Sequence, residues 1–221
     1  MTLKRSAIAK KVKEEIMAGR LRPGSRLTEK ALCELTGASR SSVREALQLL
    51  AREGYVVNEP NRGVRVATLD AQEAADIYQV RSVLEGLAAR NFINLATVEQ
   101  RENLDQALRM LETAVQTGDV AAQLKAIEDF YAALLDGCYN KVLKHSLEDL
   151  HAKIARLRAT SILSPGRISN TLREMSRIGE AIRANDEAEA WLGCVEHMQQ
   201  TSAVAIRMIS YLSDQQGSSK P

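Results

Sequence analysis

Apolar residues recur every four positions at the start of the chain, at Ile8, Val12 and Ile16. This spacing predicts an amphipathic helix over 6–18, closed by Gly19. A Pro23-Gly24 turn signal follows. Thr28 is placed to cap a second helix with Ala31, Leu32 and Leu35 on its inner face. After the turn Thr36-Gly37-Ala38, Ser39 caps a third helix running to about Glu53, with Val43, Ala46, Leu47 and Leu50 as its buried stripe. Two short β-type runs, Tyr55–Val57 and Val64–Val66, flank the turn-rich stretch Asn58–Gly63. Three helices and a hairpin, with a short Gly-containing turn between the second and third helices, predict a winged helix-turn-helix over 1–68.

Beyond Ala67 the period is purely helical. Asp70, with Glu73 three residues on, opens a helix reaching about Leu95. Thr97 opens a second, ended by Gly118, and Asp119 a third, ended near Gly137. A fourth is expected from about Lys141 to Thr160. Ser164-Pro165-Gly166 breaks the chain, a fifth runs from Ile168 to Ala184, and Asp186 opens a sixth that reaches Leu212. The expected fold class is therefore mainly α: an N-terminal winged helix-turn-helix and, over 69–221, an all-α bundle. The polar tail 213–221 is expected to be disordered.

Composition narrows the function. Of 221 residues 45% are apolar and 26% charged, so a packed core is available, while aromatics at 4% fit helices better than sheets. No apolar run approaches membrane length and the N-terminus lacks a signal-peptide core, so a cytoplasmic protein without a membrane association is expected. Cys33, Cys138 and Cys194 are far apart and read as reduced thiols. The net charge of +2 conceals an asymmetry. Residues 1–67 hold 14 Lys and Arg against 7 Asp and Glu, a net of +7, and the remainder is net −5. One part is built to meet a polyanion and the other is not.

On the third helix Arg40 and Arg44 share one face, with Ser41 and Gln48 close to it, opposite Val43, Leu47 and Leu50. Like charges one turn apart repel, which makes sense when the partner is anionic. Arginine suits both phosphate and bidentate guanine contacts, and a helix fits the major groove of B-DNA but not that of A-form RNA. Ser39, Ser41 and Ser42 can donate to phosphates at the helix N-terminus. Lys30 can reach the backbone from the second helix, and Arg62, Gly63 and Arg65 belong to the wing. No Gly-rich phosphate loop, nucleophile elbow or H-E-x-x-H motif occurs, so no enzyme is expected.

With these residues in view, the chain resembles a GntR-family transcriptional regulator. Ile16–Leu27 resembles the family's "I-x-x-G-x-L-x-P-G-x-x-L" entry, and Ser39–Leu47 its recognition helix "S-R-T-P-V-R-E-A-L", with Ser42 where many members have Pro. Residues 50–56 and 61–66 resemble the helix end and the wing. The resemblance implies DNA contacts at Lys30, Arg40, Arg44 and Gly63. The remainder is similar to the FCD effector domain of the FadR subfamily, Ile77–Arg90 resembling its opening helix. Many such domains hold a divalent metal through an Asp and three His. Here the matching positions are Ile127, Tyr131, Met175 and His197, so one strong ligand remains and neither metal nor other cofactor is expected. His145 and His151, six apart, form no ligand pair.

The resemblance also implies an effector pocket. Arg81 lies where family members face the cavity and would either meet a ligand carboxylate or pair with a glutamate of the bundle. Tyr131, Met175 and His197 would line the same cavity, with Met175 otherwise plain core. The expected function is a homodimeric, sequence-specific DNA-binding regulator of repressor type. It would bind double-stranded operator DNA under control of a small carboxylate effector transmitted through the Ala67–Asp70 linker. The alternative is a constitutive DNA-binding dimer with a non-functional pocket.

Overall fold

The computed structural model describes residues 2–60, 62–68, 70–162 and 164–217, without the side chains of 2–4, 151–152 and 212–217. The chain divides into two compact units, 1–69 with 152–156, and 70–151 with 157–221.

The first unit begins with α1 (Thr2–Met17), α2 (Glu29–Thr36) and α3 (Arg40–Arg52), followed by β1 (Val56–Glu59) and β2 (Gly63–Val66). Thr28 caps α2 by accepting from the Ala31 N–H at 3.2 Å. Gly37 ends it in the left-handed region at φ 68°, which a glycine enters without steric cost. The apolar stripes of these elements meet in one core of Ile8, Val12, Ile16, Leu27, Leu32, Val43, Ala46, Leu47, Leu50, Tyr55, Val56 and Val66. The two strands pair antiparallel with Val56 opposite Val66 and Glu59 opposite Gly63. The segment after the Pro23-Gly24 turn extends this ribbon. The Leu27 N–H donates to the Val64 carbonyl, the Val66 N–H to Ser25, and Arg26 bridges Arg65. Periodicity could not show that third edge, because it is only a few residues long.

The remaining elements are helices: α4 (Ala71–Leu95), α5 (Val98–Thr117), α6 (Val120–Gly137), α7 (Lys141–Asp149), α8 (His151–Ile162), α9 (Arg167–Arg183) and α10 (Glu187–Gly217), all of the second unit except residues 152–156 of α8, which belong to the first. Asp70, Thr97 and Asp119 cap α4, α5 and α6 as their sequence positions predict, Thr97 with Gln100 forming a reciprocal capping box. The long helices α4 and α10 pack together, α10 also lies against α9, and α5 lies between α6 and α9. Gly86 on α4 makes room for Trp191 on α10: a Cβ there would come within 2.9 Å of the indole ring.

Two expectations change. The single helix foreseen over 141–160 is two, interrupted at Leu150, whose N–H folds back to the Glu148 carbonyl. No Gly or Pro marks the break, and the stripe Leu143, Leu147, Leu150, Ile154, Leu157 runs through it unshifted. At the other end α10 continues past Leu212 to Gly217, so 213–217 is helical, and 218–221 lies outside the described residues.

Candidate nucleic-acid interface and effector cavity

In the first unit, burying Val43, Ala46, Leu47 and Leu50 turns the opposite face of α3 to solvent. Arg40, Ser41, Arg44 and Gln48 are all exposed on that face. The Ser39 hydroxyl caps the helix, accepting from the Ser42 N–H at 3.4 Å, and sits 3.0 Å from the hydroxyls of both Ser41 and Ser42. Three hydroxyls and the free N–H groups of the first turn thus cluster at the positive end of the helix dipole. Lys30 is exposed on α2. Arg44 is held: its Nε donates to Glu29 Oε1 at 2.5 Å, which lowers the Glu29 carboxyl below its ordinary range. Sequence reading did not foresee this pair, which joins α2 to α3 through residues fifteen positions apart.

On the wing, Gly63 opens β2 at φ 78°, with the Arg26 guanidinium nitrogens nearby. Arg62 is exposed, 3.9 Å from Glu59. Arg65 is engaged internally. It donates to the Gly24 carbonyl at 2.6 Å and lies 3.4 Å from Glu59, so it braces the ribbon against the Pro-Gly turn. Asn61 lies outside the described residues. Arg26, exposed beside Gly63, is the cation that sequence reading left out of the set.

The second unit contains a narrow cavity of about 20 Å³, walled by Arg81, Ile127, Tyr131, Arg158, Ser161, Ile162, Thr171, His197, Met198 and Thr201. Arg81, Tyr131 and His197 therefore come together from α4, α6 and α10. Met175 does not join them. It is fully buried and absent from the wall, a core residue, and the cavity's thioether belongs to Met198. The hydrophobic periodicity of α9 marked Met175 as inward but could not say which inward space it fills.

The charges around this cavity are arranged in two groups. Arg81, 2% exposed, donates to Glu85 Oε1 at 2.8 Å, one turn on along α4. Its guanidinium also lies over the rings of Tyr78 and Tyr131, at 5.3 and 5.7 Å from their centroids. Arg158 from α8 stands on Tyr131 at 5.2 Å. Burial, and then repulsion from Arg81, pull Arg158 below the usual guanidinium range. Burial also drives the Tyr131 phenol well above its ordinary value. In the second group Arg167 grips Glu174 with two hydrogen bonds, 2.8 and 2.6 Å, and donates to Thr201 at 2.7 Å. Glu174 Oε2 in turn lies 2.6 Å from His197 Nδ1. Burial opposes the charge on Glu174, but the hydrogen bonds to His197 and Arg167 outweigh it and hold the carboxyl at about 2. Burial pushes His197 below its ordinary value.

The metal centre that many FCD domains carry does not fit here. Among the described residues no three His, Cys, Asp or Glu side chains cluster as ligands. His197 Nδ1 is committed to Glu174, and two guanidiniums face the space where a cation would sit. His145 is exposed near Glu148 and Asp149, and the side chain of His151 lies outside the described residues.

A winged helix-turn-helix with a cationic third helix, joined to a helical unit with a polar cavity, defines a class: regulators that meet DNA with one part and a small molecule with the other. Residues 4–66 match the family of bacterial regulatory proteins named gntR, and residues 76–200 match the FCD domain. The chain belongs to the GntR family and is a DNA-binding transcriptional regulator, not an enzyme. It is 30% identical over 180 residues to the HTH-type transcriptional regulator YdhC of Bacillus subtilis, covering 81% of this chain and 80% of that protein. It is 24% identical over 191 residues to the HTH-type transcriptional repressor RspR of Escherichia coli, covering 86% and 84%. The fold is similar to that of Escherichia coli McbR/YncC, with a TM-score of 0.76 at 22% identity over 92% of this chain and 97% of that one. Among the described residues no helix is long and apolar enough to cross a membrane.

Proposed function

We propose that this regulator is a repressor that binds a near-palindromic operator as a homodimer and releases it when a small organic acid enters the bundle cavity. The observation that carries the DNA-binding part is the face of α3, where Arg40, Arg44 and Gln48 are all exposed opposite the buried stripe. Arg44 and Gln48 read base edges in the major groove, the serines around Ser39 and Lys30 hold phosphates, and Arg62 and Gly63 approach the backbone or minor groove from the wing. Arg65 supports the wing. The repressor assignment is supported by the similarity to RspR, a transcriptional repressor of Escherichia coli. Two recognition helices one helical turn apart require two copies of the chain.

The effector acts only by binding one arrangement of the DNA-binding units better than the other, through the connection at 67–70. Leu69 in that linker lies outside the described residues. A constitutive dimer with a non-functional pocket is the second reading, favoured by the narrowness of the cavity. Operator binding by the full chain, with and without a panel of organic acids, decides between them. Binding that at least one acid weakens supports the proposal. Binding that no acid alters supports the constitutive reading.

A further inference from the structure

We infer that Arg26, on the third edge of the wing ribbon, is a DNA-backbone anchor whose guanidinium, laid beside Gly63, holds one phosphate of the duplex. The inference adds a contact to the DNA-binding part of the proposed function and rests on that reading.

The first support is placement. Residues directly opposite in a ladder share one face of a ribbon, and neighbours along a strand alternate between faces. Val57 pairs with Arg65 and Glu59 with Gly63, and Arg26 bridges Arg65 from the other side. Arg26, Val57, Glu59, Gly63 and Arg65 therefore share one face. Leu27, Val56 and Val66 take the other and are buried in the core of the first unit. The core thus fixes which way Arg26 points. Its backbone is pinned on both sides, by the Val66 N–H on the Ser25 carbonyl at 3.0 Å and the Leu27 N–H on the Val64 carbonyl at 2.8 Å.

The second support is charge. The ribbon's arginines at 26, 62 and 65 share one glutamate. Glu59 lies 3.4 Å from Arg65 and 3.9 Å from Arg62, and Arg65 is further held by the Gly24 carbonyl. Arg26 is exposed and makes no ion pair among the described residues, so its charge is left for an anion from outside. The third support is clearance. A Cβ on Gly63 would stand 3.7 Å from Arg26 Nε and 3.9 Å from Nη2, so the guanidinium lies at van der Waals distance from the glycine. A longer side chain at 63 would crowd it, and φ 78° disfavours one there. Because it lies along the ribbon and does not project from the wing tip, this guanidinium meets the sugar-phosphate rim of a groove and not its floor. Its planar N–H edges match a phosphate bidentately, a contact that positions the wing without reading sequence.

The test titrates the full chain into two labelled duplexes of equal length, one A·T-rich and one G·C-rich, across a range of salt concentrations. Losing one phosphate contact lowers the log–log salt slope by about 0.9 for each chain bound, which is roughly an eightfold loss of affinity per chain at 0.1 M salt. Arg26→Ala should show that loss on both duplexes alike, and its titration lines should converge on the parent's towards 1 M salt. Arg26→Lys keeps the charge and should keep the parent's slope. Arg26→Ala should melt with the parent by circular dichroism, because no carboxylate loses its partner. Arg26→Gln, which keeps most of the stem, should repeat the alanine result and covers the case in which Arg26→Ala does not fold. A slope unchanged in both uncharged variants would overturn the inference. So would a loss confined to the A·T-rich duplex, which marks a minor-groove contact, or a lysine variant whose slope falls as far as the alanine variant's. A parent that binds duplex DNA beside an Arg26→Ala variant that binds equally well sinks this inference alone, whereas a parent that ignores duplex DNA sinks the proposed function.

Discussion

Replacing Arg81 by methionine removes a guanidinium from one of the most enclosed ion pairs in the chain. Arg81 and Glu85 are 2% and 3% exposed and 2.8 Å apart. Their attraction offsets two desolvation costs, so Arg81→Met leaves Glu85 buried and uncompensated, at a cost of about 3–5 kcal/mol. For a protein of this size each kcal/mol moves the midpoint by ~2–4 °C, so the loss is roughly 6–20 °C. Removing both charges should reverse the effect. Arg81→Met with Glu85→Leu should match the parent or exceed it by up to ~4 kcal/mol, since apolar replacements of similar volume need no desolvation. Because the chain has two compact units, a whole-chain scan is not a two-state measurement. Trp191 fluorescence isolates the bundle. A single variant that melts with the parent, or a double variant as unstable as the single, would refute the reasoning.

Three further expectations follow from the geometry. Glu174, held at about 2 against an ordinary 4.5, contributes stability that is present above the ordinary value and lost as pH falls through the folded one. His197 is shifted below 6.5, so the unfolded chain takes up its proton first and bundle stability begins to fall as pH drops through 6.5. Acid titration of the Trp191 midpoint should show both steps, and His197→Gln should remove the upper one. Glu29→Gln frees Arg44 and removes a negative charge from the DNA-facing side, so it should tighten binding to random duplex DNA and reduce discrimination, as measured by fluorescence anisotropy. Gly86→Ala would push a Cβ to 2.9 Å from the Trp191 ring and should destabilise the bundle by ~1–3 kcal/mol in chemical denaturation, with a changed Trp191 emission.

Much of this architecture was legible in local patterns. The caps at Thr28, Ser39, Asp70, Thr97 and Asp119 and the stripe on α3 are short-range signals, and the helices begin where these residues place them. The Arg81–Glu85 pair was half legible, since i,i+4 spacing allows it, but spacing could not choose between a glutamate and a ligand. What the sequence concealed depends on distant segments meeting. Arg158 reaches Tyr131 from another helix, and Arg167 binds Glu174 and Thr201 across α9 and α10. The Glu29–Arg44 clamp joins α2 to α3. Met175 shows the same limit from the other side, because period predicts that a residue is buried but not what it is buried against.

The central claim is that the exposed arginine face of α3 engages duplex DNA. Anisotropy titrations of the full chain against promoter fragments, repeated over a range of salt concentrations, test it directly. The account predicts binding at low ionic strength that weakens linearly in log–log form as salt rises. It also predicts that Arg44→Ala binds roughly ten- to a hundredfold more weakly, with relaxed preference at one base pair. No binding to any fragment at low ionic strength, or parent-like affinity for the Arg40→Ala, Arg44→Ala double variant, would contradict it.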